Sequence, residues 1–426
     1  MMLPVILRQC RIFDGVGDAL TEPADVLVAD GVIKEISPPG IAHAGAVEID
    51  VAGRVLMPGL IDAHVHVFSV SFRSSVTGSM PLTLMTALAL PRIRQMLDRG
   101  FTSVRDVSGG DVGIRTAVER GLVTGPRLFV GGPGLTQTGG HGDQRPATDS
   151  RRDESAVSSA LAYWMRIVDS PDEVRLAVRE ELRKGADHIK VMASGGVGSP
   201  SDDIDNLQFS QEELKVAVSE TRSRGKYVCA HAYTIESIRH CLAAGVRSIE
   251  HANYIDAETA ALVARENAYV VPTLVCFEET AAHGDRLGLS DKVLAKLNQM
   301  NDVGIGMLDI CERAGVSMGF GTDLVAEMGV AQSKEFGIRA RVQRPADVLR
   351  SATSVNAEIL QMSGKLGVVA PEAFADLIVV DGNPLENIEL LGGQGENIPL
   401  VMKGGQLHRN KLPTTQTAER TYSAAS

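Results

Sequence analysis

The sequence predicts an α/β fold: a (β/α)8 barrel (a TIM barrel) with a small composite β-sandwich domain built from both chain ends. Three observations carry this expectation. Between Pro58 and about Gly364, eight short apolar or β-branched runs alternate with helix-like stretches, the pattern of repeated strand–helix units around a parallel sheet. Residues 1–57 and 365–410 have a different texture, strands joined by tight turns, and pairing with each other is the economical arrangement. Histidines, a lysine and an aspartate stand at the ends of the central runs, where a barrel opens its cavity. An open doubly wound sheet is the competing architecture for the central region.

The elements follow in chain order. Val5-Ile6-Leu7, Val26-Leu27-Val28, Val32–Ile36 and Val55-Leu56-Met57 read as strands, punctuated by Asp14-Gly15, Asp30-Gly31 and Ala52-Gly53. Asp30-Gly31 between two such runs is a strong hairpin signal. The central strands are expected at Leu60–His66, Thr102–Asp106, Arg127–Gly131, His188–Met192, Tyr227–His231, Ser248–His251, Tyr269–Pro272 and Ser317–Gly321. Ser170-Pro171 starts a helix to Lys184, and Ser210-Gln211-Glu212-Glu213 reads as a capping box. Thr234–Ala244 and Asp256–Glu266 follow the same logic. Phe374–Val380 and Leu400–Gly405 resemble hairpin strands of the β domain, and 411–426 reads as a loose tail or oligomer arm.

Composition narrows the function. A 44% hydrophobic fraction with 22% charged residues is ordinary globular composition, and a net charge of −11 argues against nucleic acid or an anionic membrane as partner. No apolar run reaches the length of a spanning helix, and the start lacks the layout of a secretory signal. A cytoplasmic, homo-oligomeric protein acting on a small molecule is expected. The five cysteines are scattered and never form a C-x-x-C pair, which fits reduced thiols.

The chemistry-bearing residues come in the order His64-x-His66, Lys190, His231, His251, Asp323. Residues two apart on a strand share a face, so His64 and His66 project together and can hold a metal ion. Each residue alone has a plainer explanation. His231 or His251 reads as a satisfied core histidine, Asp323 as a turn or cap residue, and Lys190 as a lysine with a buried stem. Their joint occurrence at five strand ends favours a metal site. Gly315-Val316-Ser317-Met318-Gly319 matches G-x-S-x-G but has the helix before the serine and the strand after it, the reverse of a nucleophile elbow. Cys229 reads as core. His188 shares a face with Lys190 and is expected in a deeper barrel layer.

Six motifs carry a family resemblance: Met57–His66, Thr138–Asp143, Ile189–Gly196, Ala230–Tyr233, Ser248–His251 and Gly319–Asp323. With them the chain resembles the metal-dependent amidohydrolase superfamily. Within it, the chain is similar to the clade of prolidase-like Xaa-Pro and Xaa-Lys/Arg dipeptidases, ochratoxin-hydrolysing amidases and imidazolonepropionase-like proteins. The resemblance implies two divalent ions bridged by a carboxylated Lys190. One ion is held by His64, His66, Asp323 and the carbamate, the other by the carbamate with His231 and His251. Zinc suits these donors best, with manganese and cobalt as alternatives. An unmodified lysine, with a pKa near 10.4, is a poor ligand at neutral pH, whereas a carbamate is an anion with two hard oxygens.

The implied reaction is hydrolysis of the amide bond of a dipeptide or N-acyl amino acid, ochratoxin-type amides included. A metal-bridged hydroxide attacks the carbonyl, and Asp323 serves as general base and then acid. His141, in the Gly-rich loop after the third strand, and Tyr233 are candidate hydrogen-bond donors to the carbonyl. Arg73 is a candidate clamp for a substrate carboxylate. Alternatives are hydrolysis of a urea, carbamate or cyclic amide, and a non-enzymatic relative that binds without reacting.

Overall fold

The barrel strands at residues 60–65, 188–192, 227–232 and 248–251 are fully buried runs. The computed structural model describes residues 3–72, 76–77, 80–145, 148, 164–198, 202–289 and 291–416. The chain divides into two compact units, one of residues up to 61, 97–102 and 344 onward, the other of residues 62–96 and 103–343.

The first unit starts with β1 (Val5–Ile12), which pairs antiparallel with β2 (Ala24–Ala29). β2 turns at Asp30-Gly31 into β3 (Val32–Ser37). Both turn residues have positive φ, 53° and 80°, as a two-residue hairpin of the primed type demands. β4 (Val47–Asp50) and β5 (Val55–Pro58) run parallel to β1.

All eight expected strands form, wholly or mainly within the second unit. β6 (Leu60–Val65), β7 (Phe101–Asp106) and β8 (Arg127–Val130) are neighbours in one sheet. Two short strands not expected from the sequence follow, β9 (Gly134–Thr136), within the Gly-rich loop after the third strand, and β10 (Met165–Ile167). Next come β11 (His188–Met192), β12 (Tyr227–Ala232), β13 (Ser248–His251), β14 (Tyr269–Val271) and β15 (Ser317–Met318), each parallel to its neighbour. Asp187 N donates to Val130 O at 2.8 Å, and Ala63 N to Phe320 O at 2.8 Å. These two bonds join the sheet segments into a closed barrel, so the open-sheet alternative falls away.

The helices between strands start where the caps predict. Ser170 accepts from Glu173 N with Pro171 in the first turn, Ser210 and Glu213 form a reciprocal capping box, Thr234 accepts from Ser237 N and Asp256 from Thr259 N. Their buried faces merge with the outer faces of β11–β15 in one core that includes Val178, Leu214, Val218, Ile238 and Val263.

The remaining strands return to the first unit. β16 (Leu377–Val380) runs antiparallel to β5, with Leu377 opposite Pro58, and β17 (Leu400–Lys403) and β18 (Gln406–Asn410) extend the sheet. β19 (Thr414–Gln416), in the segment read as tail, pairs with β4; residues 417–426 lie outside the described residues. Residues 344–364, which the sequence reading assigned to the barrel, group with this unit instead. Within that unit Arg344 and Arg350 pair with Asp18, and Ser354 Oγ donates to Gly15 O at 2.6 Å.

Candidate active site

Strand alternation decides which side chains face the barrel interior. In β13, Ser248 and Glu250 share a face, so regular alternation would turn His251 away from it. His251 instead has φ 77°, outside the strand region, and its ring centroid lies 5.0 Å from that of His64 and 4.7 Å from that of His231. Asp323, beyond β15, also has positive φ (51°), a conformation Asp tolerates better than most residues. Gly321 lets this segment approach β6: a β-carbon there would lie 2.8 Å from His64 Cβ.

The donors converge. One ligand atom each from His64, His251 and Asp323 lie within 4.8 Å of one another. Asp323 Oδ1 stands 3.5 Å from His64 Nε2 and 3.1 Å from His66 Nε2. The second nitrogen of each ring is tied. His64 Nδ1 donates to Glu250 Oε2 at 2.7 Å, and His66 Nδ1 to Ser108 O at 2.9 Å. His251 Nδ1 lies 2.8 Å from Thr273 Oγ1. Fixing Nδ1 in this way leaves Nε2 with its lone pair for a metal. His231 is held the other way round, Nε2 donating to Gly195 O at 3.1 Å, so Nδ1 is its remaining donor atom. Lys190 is buried among these rings, and among the described residues no carboxylate pairs with it.

The electrostatics suit a cation. Burial is the main cause that drives His64 and His231 well below the usual imidazole pKa and His251 down to about 3. The charge of Lys190 adds to the depression of all three. All three imidazoles are therefore neutral at physiological pH, each with a lone pair that a cation can use. For Asp323, burial works against ionisation, yet His64 and His66 outweigh it and hold the carboxyl below the usual range. Burial also opposes the charge of His66, but its hydrogen bond and attraction to Asp323 push the pKa up.

His141 and Tyr233 join the same cluster. The His141 ring stacks on His231 with centroids 4.4 Å apart, and Tyr233 meets His231 edge-on at 4.6 Å. His141 Nδ1 is buried with no hydrogen-bond partner among the described residues. Burial lowers the His141 pKa and raises that of Tyr233 well above its ordinary value, so at neutral pH the imidazole is neutral and the phenol keeps its proton. All these residues line one cavity of about 1140 Å³, whose other walls include Trp164, Val197 and Phe277. Arg73 lies outside the described residues.

Sequence reasoning missed the residues behind the ligands: Glu250, Arg105, Ser108 and Thr273. Glu250 carried the one available signal, an acid immediately before a strand-end histidine. His188 is fully buried, and neither ring nitrogen has a hydrogen-bond partner among the described residues.

The family profile described as amidohydrolase family matches residues 55–407. The chain belongs to the amidohydrolase family. Ochratoxinase of Aspergillus niger is 32% identical over 372 residues, covering 83% of this chain and 76% of that protein. A crystal structure of an amidohydrolase is 47% identical with a TM-score of 0.93, covering 96% of this chain and 100% of that one. A prolidase crystallised with N-methylphosphonate-L-proline has the same coverage and TM-score at 43% identity. This amidohydrolase is thus a hydrolase acting on C–N bonds. Its family is generally metal-dependent, and the donor set fits: neutral imidazoles, an ionised carboxylate and ring nitrogens already oriented from behind. Among the described residues, no helix is long and apolar enough to cross a membrane.

Proposed function

We propose that this chain hydrolyses the amide bond of a dipeptide or N-acyl amino acid, ochratoxin-type amides included, with two divalent ions. The observation that carries the reading is the gathering of four histidines and Asp323 with a buried Lys190, which has no carboxylate partner among the described residues, at one large cavity. An unpaired buried ammonium is costly. Carboxylation turns it into an anion that the surrounding ligand set can use. His64, His66, Asp323 and the carbamate would hold one ion, and the carbamate with His231 and His251 the other. Zinc matches the nitrogen and oxygen donors.

When bound, the ions acidify water near neutral pH and polarise the scissile carbonyl. The protein supplies the rest. Asp323, kept ionised by His64 and His66, accepts the proton of the attacking water and delivers it to the leaving nitrogen. Tyr233, protonated at neutral pH, and His141 donate hydrogen bonds to the carbonyl oxygen as charge develops on it. Low solvent access strengthens each of these contacts.

A substrate panel tests the proposal. Release of a free C-terminal amino acid from N-acyl amino acids or dipeptides, abolished by a chelator and restored by Zn2+, is the expected result. Turnover of phenylureas or lactams without such release would overturn the substrate class. Absence of any metal-dependent hydrolysis would overturn the reaction.

A further inference from the structure

We propose that Arg105 and Glu250 form a buried positioning pair that sets His64, and through it the spacing of His64 and His251, for metal binding. The inference rests on the metal reading above.

Both side chains are fully buried. Arg105 Nη2 donates to Glu250 Oε1 at 2.8 Å and Oε2 at 2.9 Å. Ser248 Oγ donates to Oε1 at 2.6 Å, which leaves Oε2 to accept from His64 Nδ1 at 2.7 Å. The guanidinium also reaches the chain behind His64, its Nε donating to Ala63 O. Arg105 therefore fixes His64 twice, once at the backbone and once through the ring. Glu250 is also the residue before His251, so a single carboxylate ties the ring of one ligand to the strand that carries another. Neither Arg105 nor Glu250 belongs to the compact donor group; both act from behind it.

An ion pair buried this deeply adds little net stability relative to a well-packed apolar pair. A positioning role explains the placement of its charge: a carboxylate behind an imidazole orients the ring and raises its basicity as a ligand. His66 and His251 rest on weaker acceptors, a carbonyl and a hydroxyl, so His64 is the ligand held most firmly.

Removing one partner would strand the other charge, so the test changes both. The double variant Arg105→Met/Glu250→Gln removes the charges and keeps an amide acceptor for His64. Zn2+ affinity is measured by competition with a chromophoric chelator, beside thermal unfolding of the metal-free protein. The expected result is metal-free unfolding close to wild type and Zn2+ affinity reduced about 10- to 100-fold. Unchanged affinity would overturn the proposal. If the double variant does not fold, Ser248→Ala removes one bond to Glu250 without altering charge. A several-fold loss of affinity there supports the proposal, and no loss overturns it. Failure of the wild type itself to bind Zn2+ would instead overturn the metal reading.

Discussion

Replacing Gly196 by alanine probes the placement of His141 through a residue that is not itself a proposed ligand. A β-carbon at Gly196 would lie 1.9 Å from His141 Cε1, 2.1 Å from Nδ1 and 2.6 Å from Nε2. Ordinary contact begins near 3.4 Å, so the ring or the loop must give by about 1.5 Å, a shift set by hard-core repulsion between non-bonded atoms. The ring cannot retreat freely, because it also stacks on His231, with centroids 4.4 Å apart. A displacement of about 1 Å in a positioning group costs about 10²-fold in rate, equivalent to about 2.7 kcal/mol of transition-state stabilisation. The expected outcome is a kcat lower by about 10²-fold on an N-acyl amino acid, measured with saturating Zn2+, and a stability lower by about 1–3 kcal/mol from overpacking. Wild-type kcat in a folded, metal-replete Gly196→Ala protein would refute both the role of His141 and the reasoning from close packing.

Other substitutions separate chemistry from scaffold. Asp323→Asn removes the proposed proton carrier, and kcat is expected to fall by about 10²- to 10⁴-fold, measured with saturating Zn2+. Metal-free wild type loses stability as pH falls from the ordinary imidazole pKa of 6.5 towards about 3, because folded His251 resists protonation over that window while the unfolded chain accepts it. His251→Asn abolishes that share of the slope, about 1.4 kcal/mol per pH unit, read from denaturant unfolding at several pH values; parallel slopes would contradict it. Ser210→Ala breaks a capping box far from the chemistry; it is expected to lower stability by about 1 kcal/mol and leave kcat unchanged.

The barrel was legible because its strands are short, buried and β-branched, and because caps such as Ser170, Ser210 and Asp256 mark where helices begin. The proposed ligands were legible because they stand at or just beyond strand ends, where side chains of different elements meet. The support behind them was not. Arg105 and Glu250 are 145 residues apart, and no local pattern joins a strand arginine to a strand glutamate across a barrel. His251 was found by motif although strand alternation points it the wrong way; only its positive φ resolves the conflict. The approach of Gly196 to His141 depends on two loops and has no periodic signature. β9 and β10 are three residues each, too short to read as strands. The grouping of residues 344–364 with the β unit brings together segments more than 300 residues apart, such as Asp18 and Arg350, which local hydrophobic patterning does not reveal.

The central claim is that Lys190 bridges two metal ions as a carbamate. Metal analysis of Lys190→Ala beside wild type, each prepared with bicarbonate and Zn2+ and assayed on the same N-acyl amino acid, tests it most directly. The account predicts about two ions per wild-type chain, as in a two-metal site, and loss of metal together with activity in the variant. A Lys190→Ala protein that keeps both ions and full activity would contradict it.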